Sequence, residues 1–108
     1  MHKVYEFYTR LYLSTKTMPK KDRYTLAIRL EQTALEILEL LFLARAKTGA
    51  GKLLILNKAD IKLQLLKLFI RLSAELKSMP AGTYAELEGR LLEIGKILGS
   101  WLKTAKGH

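Results

Sequence analysis

Cysteine is missing altogether from this 108-residue chain, which excludes disulfides, thiolate metal sites and a cysteine nucleophile. Histidine is nearly missing as well, with only His2 and His108 at the two ends of the sequence. A Ser-His-Asp triad or a His-rich metal centre needs histidines inside a fold, so neither is expected. No catalytic residue, no metal and no cofactor is assigned. Long apolar runs are absent too. The most apolar stretch, Leu35 to Ala44, is broken by Glu36 and Glu39, far short of the ~20 residues that a bilayer-spanning helix demands. Near the N-terminus Glu6 and Arg10 follow Lys3 closely, so no targeting segment is read and a cytoplasmic protein without a membrane is expected. Carboxylates are scarce: ten Asp and Glu stand against nineteen Lys and Arg, leaving a formal charge of +9. A domain that basic is drawn to polyanions.

Proline and glycine are few, and their positions divide the chain. Pro19, the Gly49–Gly51 pair and the Pro80–Gly82 pair separate four segments rich in Leu, Ala, Glu, Lys and Arg, all good helix formers. The pattern predicts helices over 3–16, 22–47, 53–77 and 84–104. Thr83 and Glu86 have capping-box spacing at the start of the fourth. No stretch alternates long enough to argue a strand. Short connections favour antiparallel neighbours, so the expectation is a single domain, 1–108, folded as an all-α, up-down-up-down four-helix bundle.

Steps of three and four pick out one core face per helix. In the first these are Val4, Phe7 and Leu11. In the second they are Leu30, Ala34, Ile37, Leu41 and Ala44. In the third they are Ile61, Leu65, Leu68, Leu72 and Leu76. In the fourth they are Leu87, Leu91, Ile94, Leu98 and Leu102. Apolar residues remain beyond these faces: Leu63, Leu66 and Ile70 on the third helix, Leu35, Leu38 and Phe42 on the second, and the row Tyr5, Tyr8 and Tyr12 on the first. A small monomer that left so much apolar surface uncovered would be unusual. These six aliphatic and aromatic residues of the second and third helices are therefore expected to form an oligomer interface in a dimer or closed ring.

The motifs read blandly. Thr48-Gly49-Ala50-Gly51-Lys52 looks like part of a phosphate-binding loop, but Ala46 and Leu53 occupy the positions where Gly and Ser or Thr are required. A helix C-cap and turn is the simpler account. Glu31, Glu36 and Glu39 lack the histidines of a bundle di-metal site and are read as a solvated or salt-bridged face. Gly95 and Gly99 would let a neighbouring helix approach, and Trp101 would pack at the open end of the bundle. Charge is uneven: residues 1–30 carry +5, 31–60 balance at zero, and 61–90 and 91–108 carry +2 each. Lys20, Lys21 and Arg23, together with the i, i+4 pair Lys67 and Arg71, are the candidate contacts for phosphates or a partner.

The ordered set of segments resembles the accessory variability determinant (Avd) proteins of diversity-generating retroelements. The resemblance runs from Leu11-Tyr12 through Met18-Pro19-Lys20 and Arg23-Tyr24-Thr25-Leu26. It continues in Ala34-Leu35-Glu36-Ile37-Leu38-Glu39-Leu40-Leu41 and in Lys67-Leu68-Phe69-Ile70-Arg71-Leu72. It ends on Glu93-Ile94-Gly95-Lys96-Ile97-Leu98-Gly99-Ser100-Trp101-Leu102. Its implications are a noncatalytic four-helix bundle forming a ring-like, positively charged homopentamer that binds RNA and DNA. Five copies at +9 each carry +45. The resemblance also implies a retroelement reverse transcriptase as partner, template RNA as ligand, and mutagenic complementary-DNA synthesis as the process served. Lys67 and Arg71 fall where the family tends to place basic residues on its third helix, and Lys20 and Arg23 fall in its basic first loop. The Gly49–Gly51 connection departs from other members. The alternatives are the bundle protein of ribosomal-RNA intervening sequences and a purely structural oligomeric scaffold.

Overall fold

Leucine, alanine, glutamate and lysine dominate the segments between the breaks, and each segment winds into helix. The computed structural model describes residues 1–107, so His108 lies outside the described residues. It contains α1 (His2–Thr15), a one-turn α2 (Lys20–Arg23), α3 (Leu26–Arg45), α4 (Gly49–Glu75) and α5 (Ala81–Lys106). No strand occurs among the described residues. The four long helices pack in the order α1, α3, α4, α5, and α5 closes back onto α1. Cross-links fix the directions. Lys3 pairs with Glu93 at 3.1 Å and Arg10 with Glu86 at 3.7 Å, so α1 and α5 run antiparallel. Thr15 donates to Glu31 at 2.6 Å near one end of α1 and α3, while Met1 and Phe42 share a groove near the other. Lys62 pairs with Glu36 at 2.8 Å, and Arg29 stacks over Phe69, reversing α4 against α3. The result is an up-down-up-down bundle 46 Å long and about 20 Å across.

Three of the four expected core faces are buried. Val4, Phe7 and Leu11 of α1 are buried, as are Leu30, Ala34, Ile37, Leu41 and Ala44 of α3, and Leu87, Leu91, Ile94 and Leu98 of α5. Leu102 is half-buried against them. The third expected face is wrong. On α4 the buried set is Ile55, Leu56, Ala59, Leu63, Leu66, Ile70 and Ser73. Leu63, Leu66 and Ile70, expected at an oligomer interface, are at most 1% exposed inside the subunit. Ile61, Leu68, Leu72 and Leu76, expected in the core, point outward, with Leu65 half-buried. The helix is apolar on two sides, and the side with small residues packs. Ala59 lets neighbouring helices approach, and the Ser73 hydroxyl satisfies itself on the Phe69 carbonyl at 2.9 Å.

Helix ends differ from the expected boundaries for local reasons. The segment 22–47 is split, because Tyr24 and Thr25, both modest helix formers, turn the chain between α2 and α3. The two glycines sit in the first turn of α4 rather than capping α3, whose C-cap is Ala46. Gly49 makes that corner at φ +58°, a conformation only glycine adopts freely. The capping box at Thr83 does not form. Pro80 is the N-cap, the Tyr84 amide already bonds to its carbonyl at 3.0 Å, and Thr83 lies inside the helix. Gly95 does sit close to α4, since a Cβ there would lie 3.4 Å from Lys67 Nζ and 3.7 Å from Leu63. Gly99 faces open space.

The α4–α5 connection closes with a Schellman motif. The Ser78 amide bonds to the Ser73 carbonyl at 2.9 Å, and the Lys77 amide to that of Ala74 at 3.0 Å. The left-handed residue between them is Lys77, at φ +60°, where glycine is usual. A side chain in that region costs about 1 kcal/mol, so Lys77→Gly should raise stability by up to about 1 kcal/mol, read as a higher Tm in thermal unfolding.

Candidate nucleic-acid interface

Two opposite ends of the bundle collect cations, while the α1–α5 seam between them spends its charges on pairing. At the first end lie the α1–α3 connection, the C-terminus of α4 and the start of α5. The one-turn α2 is held there by two contacts. The Ser78 hydroxyl donates to the Asp22 carboxylate, and Arg23 donates to the Met18 carbonyl at 3.2 Å. This fixes Lys20, Lys21 and Arg23 on one exposed turn. Arg71 is one turn from the end of α4 and Lys67 two turns, about 6 and 12 Å along the axis at 1.5 Å per residue. Both sit on the flank toward α5: Lys67 approaches Gly95, and Arg71 lies beside Tyr84. Lys20, Lys21, Arg23 and Arg71 thus share one end of the molecule, while the Lys67 ammonium, beside Gly95 and Leu63, lies near mid-bundle. None of the five has a carboxylate within ion-pairing distance among the described residues.

Arg71 faces a phenol across the α4–α5 seam. Tyr84 carries the Glu88 carboxylate one turn on, whose hydrogen bond, with desolvation and the negative charge, raises the phenol above its ordinary value. Arg71 opposes that rise from across the α4–α5 seam. Tyr8 is also raised, by burial first and then by the Glu31 and Tyr12 neighbours. Both phenols therefore stay protonated at neutral pH and act as neutral hydrogen-bonding groups.

Along the α1–α5 seam the waist between the ends is neutralised. Arg90 lies between Glu6 at 4.0 Å and Glu86 at 3.5 Å, adding to the Lys3–Glu93 and Arg10–Glu86 pairs along the α1–α5 seam. Glu36, one of the acidic residues weighed as a metal ligand, is taken by Lys62. No cluster of three potential metal ligands occurs among the described residues.

The opposite end was not legible from regional charge sums. Residues 31–60 sum to zero because Glu31, Glu36, Glu39 and Asp60 bracket a run that holds Arg45, Lys47, Lys52 and Lys58 and no acid. Beyond Glu93 the chain carries Lys96, Lys103 and Lys106 and again no acid. The C-terminus of α3, the N-terminus of α4 and the C-terminus of α5 meet at this end, so two carboxylate-free stretches become one surface. The stretch from 40 to 59 without Asp or Glu is the signal that could have revealed it.

The apolar surplus is also placed. Leu35 and Phe42 are exposed and Leu38 half-buried. With Met1 and Tyr5 they line a groove between α1 and α3. Tyr12 is exposed farther along the same flank of α1, with Tyr8 half-buried beside it at 6.4 Å between ring centres. Ile61, Leu68, Leu72 and Leu76 of α4 are exposed outside that groove, Ile61 lining a second one between α3 and α4. No helix among the described residues is long and apolar enough to cross a membrane.

Comparison with known proteins returns one family. The family described as bAvd-like matches residues 1–105. No curated protein matches the chain.

Proposed function

The chain belongs to the bAvd-like family, and from that premise we propose that it is a noncatalytic, nucleic-acid-binding accessory subunit of a retroelement reverse transcriptase. In this role it holds template RNA near the polymerase during mutagenic complementary-DNA synthesis. Family membership carries the reading, and the distribution of charge supports it. Cations without ion-pair partners among the described residues lie at both ends, and the stretch from Leu40 to Ala59 that builds one of them holds no carboxylate. Contacts to phosphates supply affinity and position but carry no base information. The binding this surface supports is therefore sequence-tolerant, with Lys20, Lys21, Arg23, Lys67 and Arg71 as the first contacts.

The two apolar surfaces support self-association into a ring. A groove on α1 and α3 and a ridge on α4 are different surfaces of one subunit, so joining groove to ridge is a heterologous contact. Repeated contacts of that type close into a ring when the rotation allows. A homopentamer is the ring implied by the family, with Leu35, Leu38 and Phe42 on one side of each joint and Ile61, Leu68, Leu72 and Leu76 on the other.

The test is co-expression with a reverse transcriptase encoded beside this chain, followed by affinity purification and a gel shift with structured RNA. The expected result is co-purification and a shift. Replacing Lys67 and Arg71 with alanine should weaken binding to unrelated RNAs alike and reduce the salt slope by about one for each cation removed. A protein that neither shifts RNA nor retains the polymerase would leave a structural scaffold as the better account.

A further inference from the structure

The end of the bundle built from the carboxylate-free stretches also contains a pocket of about 560 Å³. That is within the size range of small-ligand sites, roughly 300–1,000 Å³. Its floor is apolar, made by Leu41, Ala44 and Leu56, each no more than 2% exposed. Its rim is cationic, with Arg45 from the last turn of α3 and Lys52 from the first turn of α4. Neither is ion-paired among the described residues. Trp101, the sole tryptophan, forms part of the wall and is 37% exposed. Among the described residues no aromatic ring or cation of the chain covers its indole.

We propose that this pocket holds one unpaired nucleotide of a single-stranded polynucleotide, its base on Trp101 and its phosphate between Arg45 and Lys52. The inference deepens the nucleic-acid reading given above and rests on it. An apolar floor beside an open indole suits a flat aromatic group. Base stacking on such side chains is sequence-tolerant, because every base has a π-face. Two free cations at the rim call for an anion attached to that group. The first turn of α4 adds to the attraction: Thr48 makes no side-chain cap, and Gly49 has no side chain to block approach. A base can lie on the indole and the apolar floor only when it is not already stacked in a duplex, so single-stranded segments are selected. Bare polyanions would satisfy the cations and leave the floor and the indole uncovered.

Trp101 provides its own reporter, since all indole emission comes from this position. The whole chain is titrated with an end-labelled octauridylate, with unlabelled uridine 5′-monophosphate and with inorganic polyphosphate. Indole emission and, for the labelled oligomer, anisotropy are followed together. The expected result is saturable quenching by octauridylate that tracks the anisotropy. Polyphosphate should leave the emission unchanged, and the mononucleotide should quench only at far higher concentration. Trp101→Leu should weaken octauridylate binding about tenfold by anisotropy, as loss of one stacked base predicts. Arg45→Ala with Lys52→Ala should weaken quenching while far-ultraviolet circular dichroism stays helical. Binding by anisotropy without quenching overturns this site and leaves the broader nucleic-acid reading standing. Equal quenching by polyphosphate also overturns it, as does equal affinity for the mononucleotide and the oligomer. Neither anisotropy change nor quenching overturns both readings.

Discussion

Leu66→Ala should lower the free energy of unfolding by about 2–5 kcal/mol, because a buried leucine is replaced by a cavity. The same change at Leu68, two residues along, should stay within about 0.5 kcal/mol, as exposed substitutions do. Urea unfolding of dilute protein reads both. The contrast is large because two residues of helix amount to about 200° of rotation, which carries a side chain from the packed interior to the outer ridge. Equal losses at the two positions would mean that α4 presents a different face to its neighbours. A charge at the outer position separates folding from assembly. Leu68→Glu should leave the subunit folded yet reduce its native mass to that of one chain, whereas Leu66→Glu should fail to fold.

Raising monovalent salt from 50 to 200 mM should weaken RNA binding by about a thousandfold if six phosphates are neutralised. The estimate follows from which cations are free. Lys3, Arg10, Lys62 and Arg90 already have carboxylate partners, so they contribute little to a polyanion. Lys20, Lys21, Arg23 and Arg71 at one end, Lys67 nearer the middle, and Arg45 and Lys52 at the other end have no ion-pair partner among the described residues and are available for six or more contacts. Each releases a counterion on binding, and the cost of returning those ions grows with the logarithm of salt concentration. Affinity measured by filter binding across that range should fall on a straight log–log line. A flat response would show that the cations do not touch phosphate, and the electrostatic holding role would fall with it.

The sequence made α1, α3 and α5 readable because on each the stripe picked out by steps of three and four is the one that packs, even though α3 also carries Leu35 and Phe42 on its outside. On α4 the periodicity was equally clear but ambiguous in direction. The stripe Ile61, Leu65, Leu68, Leu72 and Leu76 is uniformly large and apolar, whereas the buried one includes Ala59 and Ser73. Hydrophobicity alone therefore favours the wrong side. What decides is fit: small residues admit neighbouring helices, and a serine that bonds to its own helix carries little burial penalty. The first-loop cations and the Lys67–Arg71 pair were visible as clusters; the first-loop cations and Arg71 meet at one end, whereas the Lys67 ammonium reaches Gly95 at mid-bundle. The pocket cations were not, because Arg45 and Lys52 are separated by more than forty residues from Trp101 and meet it only when α3, α4 and α5 share an end.

The order of packing has a consequence for how this chain reaches its native state. α1 meets α3 across the one-turn α2, α3 meets α4, and α4 meets α5, so nearly every seam joins elements close together in the chain. Topologies dominated by such short-range contacts reach the native state rapidly. Only the α1–α5 seam brings together segments from the two extremities, with Val4 near Ile94 and Leu98 on its inner side and the Lys3–Glu93, Arg10–Glu86 and Arg90–Glu6 pairs on its outer side. Closing it has the steepest entropic toll, which makes it the natural last step of folding and the first place to breathe.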